Sequence, residues 1–417
     1  MEAKAASHVA LVTLGSAGDL HPMLALGQFL RERGHPVTLL ANPACGPAAG
    51  EAGLAFEPIG DAADYRATLA HPKLWHPIDG FGVMWRYLLR PALQPTYERL
   101  AAIAAQGRCV VVANPVAMGA RIAQEKLGLP LVTAYTAATM LRTVHDPMTL
   151  AQWRMPRWVP RPLRRAAWAL LDRHKLEPLV RPALDALRAQ LGLPAIGPTV
   201  FGQWMHSPQA GIALFPSWFA PAAPDWPATV RQAGFPLFDG DALQPADAGI
   251  AAFLQAGPPP VVFMPGTAAE APAPFFREAV RACAETGERG LLLGQVPDDL
   301  RRALPATLHA APYAPFGTLL PHTRALVHHG GIGSCAQALR AGIPQLVLPH
   351  AYDQFDNAMR LEQLGVGRQL ARVDAMGGAL RALLAEPAVA AACSQWAPKT
   401  TPHAARSHIL AIVERLS

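Results

Sequence analysis

The chain has 417 residues, more than one hydrophobic core normally serves, so two domains of ordinary size are expected. Hydrophobic residues make up 51% and charged residues 16%, which excludes a disordered chain and leaves ample material for buried sheets. The formal charge of +6, from 36 Lys+Arg against 30 Asp+Glu, suits an anionic small ligand or an acidic membrane surface and is too weak and dispersed to imply nucleic acid.

From the N-terminus, His8 to Leu14 reads as a buried strand. Its apolar part is too short for a secretory leader. Gly15-Ser16-Ala17-Gly18 follows, then an apolar-periodic helix from Pro22 to Arg33, with proline at its start and Gly34 past its end. Strand-like runs come next at Pro36–Ala41, Cys109–Ala113, Leu131–Ala134 and Gly211–Phe215, with helical patterns between them. Such alternation predicts an α/β, parallel, doubly wound sheet. A Pro/Gly/Asp-rich linker spans 236–247. The alternation then resumes, with strands at Pro260–Met264, Gly290–Leu293, Leu308–Ala311, Ala325–His328 and Gln345–Leu348. Helices are expected at Pro274–Thr286, Ser334–Ala341 and His403–Leu416. The division is therefore an N-terminal domain 1–235, the linker, a C-terminal domain 248–390, and a helical tail 391–417 packing back on the N-terminal domain.

Cys45, Cys109, Cys283, Cys335 and Cys393 are an odd count, widely separated, with no CxxC pair. A disulfide framework and a zinc site are therefore not expected, and a reducing cytoplasm fits. No stretch approaches the ~20 apolar residues that cross a bilayer. The expectation is a cytoplasmic protein, at most peripheral to the cytoplasmic membrane. Residues 153 to 175 interleave Trp153, Trp158 and Trp168 with seven Arg and Lys and one acid, Asp172. The expectation there is a solvated helical face with its tryptophans turned into the core. The alternative is a membrane-facing surface or an apolar acceptor site.

The chemistry concentrates between Tyr313 and Leu370. A buried strand ends at His328-His329 and breaks into Gly330-Gly331-Ile332-Gly333, with Ser334 as the expected helix N-cap. Glycines at a strand-to-helix turn let the backbone approach a ligand, and the helix N-terminus offers free N–H groups and partial positive charge. That is an anion site, suited to a diphosphate, with His329 as an added donor. Adjacent strand side chains point to opposite faces, so His328 and His329 do not form a metal pair. A second strand end at Leu348-Pro349-His350 leads to Asp353-Gln354, a carboxylate and an amide suited to vicinal sugar hydroxyls.

YAPFGTLLPH (313–322), VHHGGIGSCAQAL (327–339) and GIPQLVLPHAYDQFDN (342–357) together resemble the donor-binding signature of family 1 glycosyltransferases of the GT-B fold. GSAGDLHP (15–22) and VVFMPGT (261–267) extend the resemblance to both halves. In detail the sequence looks most like the bacterial rhamnosyltransferase subgroup of rhamnolipid synthesis. The resemblance implies two Rossmann-like domains facing each other across a cleft, and inverting, metal-independent sugar transfer. The substrates would be a nucleotide sugar and a hydrophobic acceptor, with dTDP-rhamnose and a 3-hydroxyacyl lipid as the finer expectation. No cofactor and no nucleic acid are implied. Peripheral association with the inner membrane, or with an acceptor-synthesising enzyme, is a further expectation.

Residue by residue, Tyr313 stands where the family stacks a tryptophan on the base, with Ala314 beside it and Phe316 in place of a glutamine. His329, Gly331, Gly333 and Ser334 fall on diphosphate positions, joined by Gly266 and Thr267. Asp353 and Gln354 fall on sugar-hydroxyl positions. Gln337 replaces the glutamate that binds ribose hydroxyls in UDP-dependent relatives, which favours dTDP over UDP. Asp19 is the candidate general base, in a loop with Gly15, Ser16 and Gly18, and His21 is a candidate assistant. Capping of the following helix is the competing role for Asp19. Asp239-Gly240-Asp241 spells a metal-binding DxD but sits in the linker, where Asp-Gly usually marks a turn. A nicotinamide site is disfavoured because the first turn is GxxGD and the second strand ends at Ala41-Asn42 without an acid. The alternatives are a UDP-dependent glucosyltransferase acting on a sterol, polyketide or other small hydrophobic acceptor, a sugar-nucleotide 2-epimerase, and a catalytically silent partner protein. Trp75, Met84, Trp85 and Trp204, with Trp153 and Trp158, are candidates for an acceptor wall, against the plainer role of core.

Overall fold

The computed structural model describes residues 7–76, 79–146, 149–150, 153–197, 199–238, 248–266 and 272–417. They form two compact units, Met1–Pro236 with Pro402–Ser417, and Leu237–Thr401.

The sheet of the first unit uses β1 (His8–Val12), β2 (Val37–Ala41), β3 (Ala55–Pro58), β4 (Cys109–Ala113), β5 (Leu131–Tyr135), β8 (Ala210–Ala213) and β9 (Val230–Gln232). A separate two-stranded hairpin joins β6 (Thr149–Leu150) to β7 (Trp153–Arg154). The strand order is β3-β2-β1-β4-β5-β8-β9, and every pairing in the sheet is parallel. β1, β2, β4, β5 and β8 are buried along nearly their whole length, as strands covered on both faces must be. The order reverses at β1/β4, so the carboxyl ends of those strands border the crevice where α/β sheets bind ligands. Helix Ala17–Glu32 begins five residues earlier than predicted and carries Pro22 inside it. Proline in that position supplies no N–H to the Gly18 carbonyl, so the proline marks the second turn, not the first.

The second unit repeats the design with β10 (Val261–Met264), β11 (Gly290–Leu293), β12 (Leu308–Ala311), β13 (Ala325–His328), β14 (Gln345–Val347) and β15 (Gly367–Gln369). The order is β12-β11-β10-β13-β14-β15, again all parallel, with the reversal at β10/β13. Sequence patterning missed β3, β9 and β15, short edge strands with weak apolar runs. Residues 391–401 belong with the second unit, and only Pro402–Ser417 joins the first. There, helix His403–Leu416 buries Ala405, Ile409, Ile412 and Val413 along one face, and Arg406 lies 5.7 Å from the Phe29 ring centroid.

Of the tryptophans weighed between acceptor wall and core, Trp85 and Trp204 take the plainer role, and the expected inward turn of the tryptophans at 153–175 fails for Trp153 and Trp158. Trp85 and Trp204 are core side chains, 2% and 4% exposed, and Trp204 Nε1 donates to Glu125 at 3.0 Å. In the 153–175 stretch the burial runs the other way. Trp158 is 82% exposed and Trp153 55%, while Arg164 is 4% exposed. The reason is local: Val144, Pro156, Arg157 and Val159 all present carbonyls to the Arg164 guanidinium, which satisfies an interior cation that an indole could not replace. All five cysteines are buried and free, and burial raises their thiol pKa values.

Candidate active site

In the first unit, β1 runs into Thr13-Leu14-Gly15-Ser16 and then helix Ala17–Glu32. Ser16 is the N-cap and Asp19 the third helical residue. The Ser16 N–H donates to Asp19 Oδ2 at 3.3 Å, the carboxylate half of a capping box. The other oxygen, Oδ1, accepts from Thr136 Oγ1 at 3.2 Å, one residue beyond the end of β5. Thr13 Oγ1 donates to the Asp19 carbonyl at 3.2 Å. Asp19 is therefore both a helix cap and a half-buried carboxylate at the sheet's carboxyl edge.

The loop is held from three sides. Asn114 Nδ2, just past β4, donates to Leu14 O at 2.9 Å, and Tyr65 donates to Gly15 O at 3.3 Å. Gly15 has φ +146°, and a Cβ there would overlap Asp19 Oδ2. Only glycine lets the carboxylate fold back over the turn. His21 lies two residues along the helix, and burial lowers its pKa to about 4, so it is a neutral imidazole at pH 7.

In the second unit, β13 ends at His328 and the chain turns through His329-Gly330 into helix Ile332–Ala341. The two rings stand at 87° with centroids 6.3 Å apart, and their roles differ. His328 is fully buried, with Nε2 3.1 Å from Gln345 Oε1 and Nδ1 accepting from the Gly330 N–H at 3.2 Å. Accepting at Nδ1 places its proton on Nε2, and burial lowers its pKa to about 3. His328 thus braces the turn from inside. His329 is half-buried, and its Nδ1 is buried without a hydrogen-bond partner among the described residues. Burial, then the nearby His350, lowers its pKa to about 4. Gly266, just past β10 with φ +105°, lies against that ring: a Cβ there would be 2.8 Å from Nδ1.

The N-cap of helix Ile332–Ala341 is Gly331, three positions before the predicted one, and Ser334 falls in the first turn. Glycine has no side chain with which to cap, and no side chain caps this turn. The first intrahelical bond is Cys335 N–H to Gly331 O at 3.0 Å. The N–H groups of Ile332, Gly333 and Ser334 therefore lack intrahelical carbonyls, which is the electrostatic condition for holding a phosphate.

Past β14, Tyr352 sits in the left-handed region at φ +53°, a conformation costly for a tyrosine, and Asp353 holds the N-cap position of helix Gln354–Gln363 without a side-chain capping bond. Asn357 Nδ2 donates to Asp353 Oδ2 at 2.8 Å and to Gly330 O at 2.9 Å. One buried amide so ties the glycine turn to the carboxylate. Burial pushes the Asp353 carboxyl up to about 6, against the Asn357 hydrogen bond. Gln354 Oε1 accepts from the His350 and Ala351 N–H groups at 2.7 and 3.1 Å, leaving Nε2 to donate elsewhere.

Two family models match the chain: the glycosyltransferase family 28 N-terminal domain over residues 9–145, and the erythromycin biosynthesis protein CIII-like C-terminal domain over residues 291–415. The chain is 29% identical to O-mycaminosyltylonolide 6-deoxyallosyltransferase of Streptomyces fradiae, across 92% of its own length and 91% of the relative's. It is 31% identical to vancomycin aglycone glucosyltransferase of Amycolatopsis orientalis, across 86% and 84%. The protein belongs to the GT-B glycosyltransferases. Its fold matches the crystal structure of glycosyltransferase VinC in complex with dTDP at a TM-score of 0.70, with 20% identity and coverage of 98% and 100%.

For this glycosyltransferase the remaining predicted residues are placed as follows. Tyr313 and Phe316 are half-buried after β12, around the buried Ala314. Gln337 is 6% exposed, and its Nε2 donates to Phe238 O at 2.8 Å. Its amide is therefore engaged by the protein's own backbone. Thr267 lies outside the described residues, as do Asp239, Gly240 and Asp241. Among the described residues no group of three or more His, Cys, Asp or Glu could hold a metal ion, and no single helix is long and apolar enough to cross a membrane. Sequence reading missed Thr136, Asn114, Tyr65 and the bracing role of His328. Asn114 was legible as the polar residue closing an apolar strand run; Thr136 and Tyr65 reach the loop only through sheet order.

Proposed function

We propose that this glycosyltransferase moves a 6-deoxyhexose from a dTDP donor onto a hydroxyl of a bulky apolar aglycone, with inversion at the anomeric carbon. The observation that carries the reading is the glycine-capped first turn of helix Ile332–Ala341 beside the unpartnered His329 Nδ1. That turn receives the diphosphate, and its N–H groups stabilise the charge that grows as the nucleotide leaves. Asp353 accepts from the sugar hydroxyls and Gln354 Nε2 donates to them. Asp19 takes the acceptor's hydroxyl proton as that oxygen bonds to the anomeric carbon. The bond from that carbon to the phosphate oxygen breaks, and the electron pair leaves with the nucleoside diphosphate.

The dTDP preference is supported by Gln337, which offers no carboxylate to a ribose 2′-hydroxyl, and by the dTDP held in VinC. The aglycone is supported by the names of the two relatives. A second reading, dTDP-rhamnose and a 3-hydroxyacyl lipid, is supported by the motifs 313–357 and 15–22 resembling the rhamnolipid subgroup.

The test is product formation by the purified protein with dTDP- and UDP-sugars, offered macrocyclic aglycones and 3-hydroxyacyl lipids in parallel. Glycosylated aglycone from a dTDP donor, abolished in Asp19→Asn, is the expected result. Product on the acyl lipid alone selects the second reading, and product only from UDP donors removes the Gln337 argument. Donor epimerisation without an acceptor overturns transfer.

A further inference from the structure

Helix Arg161–Leu171 turns Arg164, Ala167, Trp168 and Leu171 inward or partly inward. Its opposite stripe, Leu163, Ala166, Ala169 and Leu170, faces solvent at the spacing of one helical face. Leu163 and Leu170 are 60% and 61% exposed, and Trp158, just before the helix, is the most exposed large apolar side chain among the described residues. Trp153 adds a second exposed indole on β7. The indole of Trp158 is not loosely placed. The turn carrying it is clamped by the buried Arg164 guanidinium, which holds the carbonyls on either side of it, those of Arg157 and Val159.

The charges around this face are one-sided. Arg161, Arg165, Arg173 and Lys175 are exposed, and none has a carboxylate partner among the described residues. The one acid of the stretch, Asp172, is 6% exposed and paired with Arg142 at 2.5 Å. Arg154 and Arg157 share Asp146, at 2.9 and 3.8 Å.

We propose that this face docks on an anionic lipid bilayer, with Trp158, Leu163 and Leu170 entering the headgroup boundary and the four free cations meeting lipid phosphates. Amphipathic helices with Trp and Leu on one side and arginines beside them lie in that plane. A second copy of the protein does not fit. A two-fold contact would bring the same arginines and lysine together, and the one acid of 153–175, Asp172, is buried and already paired with Arg142. The docking stands independently of which acceptor the enzyme uses.

The test is flotation of the full-length protein with vesicles of phosphatidylcholine alone, or with phosphatidylglycerol as roughly a third of the lipid. Recovery with the anionic vesicles only, falling as salt shortens the Debye length from about 10 Å to about 3 Å, is the expected result. Arg161→Gln and Arg165→Gln should each weaken partitioning about five-fold. Leu163→Ser with Leu170→Ser should abolish flotation while leaving thermal stability and transfer to a soluble acceptor intact, since these side chains sit in water, and Trp158→Ala should weaken flotation with thermal stability unchanged. Equal recovery on both vesicle types, or anionic binding untouched by these substitutions, overturns the proposal. So does a concentration-dependent dimer, dissolved by the same substitutions, in a protein that does not float.

Discussion

The two units solve the same local problem in opposite ways. Each runs its central strand into a glycine turn and opens a helix at the point where the strand order reverses. In the first unit the helix start is closed by the protein's own carboxylate, Asp19, folded over Gly15 onto the Ser16 N–H. In the second the N-cap is Gly331 and no side chain closes the turn. A helix N-terminus attracts one negative group. Where the protein supplies it, the start is closed by a carboxylate, which the proposed function uses as the base. Where the protein withholds it, the first-turn N–H groups have no side-chain partner, and the proposed function seats the diphosphate there.

The comparison breaks most sharply if Gly331→Asp is made. A carboxylate at this N-cap would accept from the first-turn N–H groups and occupy the anion's place, and its Cβ would stand 2.5 Å from His329 Nε2. Donor turnover should fall roughly a hundred-fold or more, and dTDP should no longer raise the melting temperature. Retained dTDP stabilisation would show that the diphosphate does not use this turn.

Asp19→Asn separates the two roles of the first turn, because an amide oxygen still caps. The expected result is a kcat lower by about a hundred- to ten-thousand-fold with stability changed by less than about 1 kcal/mol. A large loss of stability with modest loss of rate would reduce Asp19 to a cap.

Asp353→Asn tests the second unit's carboxylate. Its folded pKa of about 6 lies above the ordinary 3.8, so the folded state binds the proton more tightly than the unfolded chain. Its contribution is fully present below about pH 4 and is lost as pH rises through 6. The amide should therefore stabilise the protein on the order of 2 kcal/mol at pH 7 and not at pH 4, while raising the KM for donor. Melting curves at the two pH values decide it. The wild type should likewise bind donor less well as pH falls below 6.

The smallest effect is expected for Thr136→Val, which removes one 3.2 Å hydrogen bond from Asp19 Oδ1. A kcat lower by roughly two- to ten-fold with unchanged donor KM is the expected split; a change in donor KM alone would contradict it.

Most of the scaffold was legible in the sequence. Strands such as Cys109–Ala113 and Ala325–His328 are continuous apolar runs because both faces are covered, and glycine turns follow β1 and β13 in plain sight. Strand alternation separated the roles of His328 and His329 in the sequence; in the structure the strand ends at His328 and His329 stands in the turn, with the two rings at 87°. Helix starts were less legible. Pro22 and Ser334 are each a reasonable first residue or cap by type, yet the helices open at Ala17 and Ile332. Local preference cannot tell which of several glycines and serines ends the turn; strand pairing and the braces from Asn114, Tyr65 and His328 decide that.

What the sequence by itself determined is the set of parts: two parallel sheets, a glycine turn in each half, and the order of Asp19, His329, Asp353 and Gln354 along the chain. Periodicity and turn chemistry are local, so they can be read residue by residue. What only the tertiary structure decided is what those parts touch. It set Thr136 on Asp19 across two strands, Asn357 between Gly330 and Asp353, and Gln337 on Phe238. It also reversed the expected burial of Trp158 and Arg164. A guanidinium can be interior only where several carbonyls converge, and an indole stays in water when no cavity is shaped for it. Neither condition is a property of the neighbouring residues in sequence.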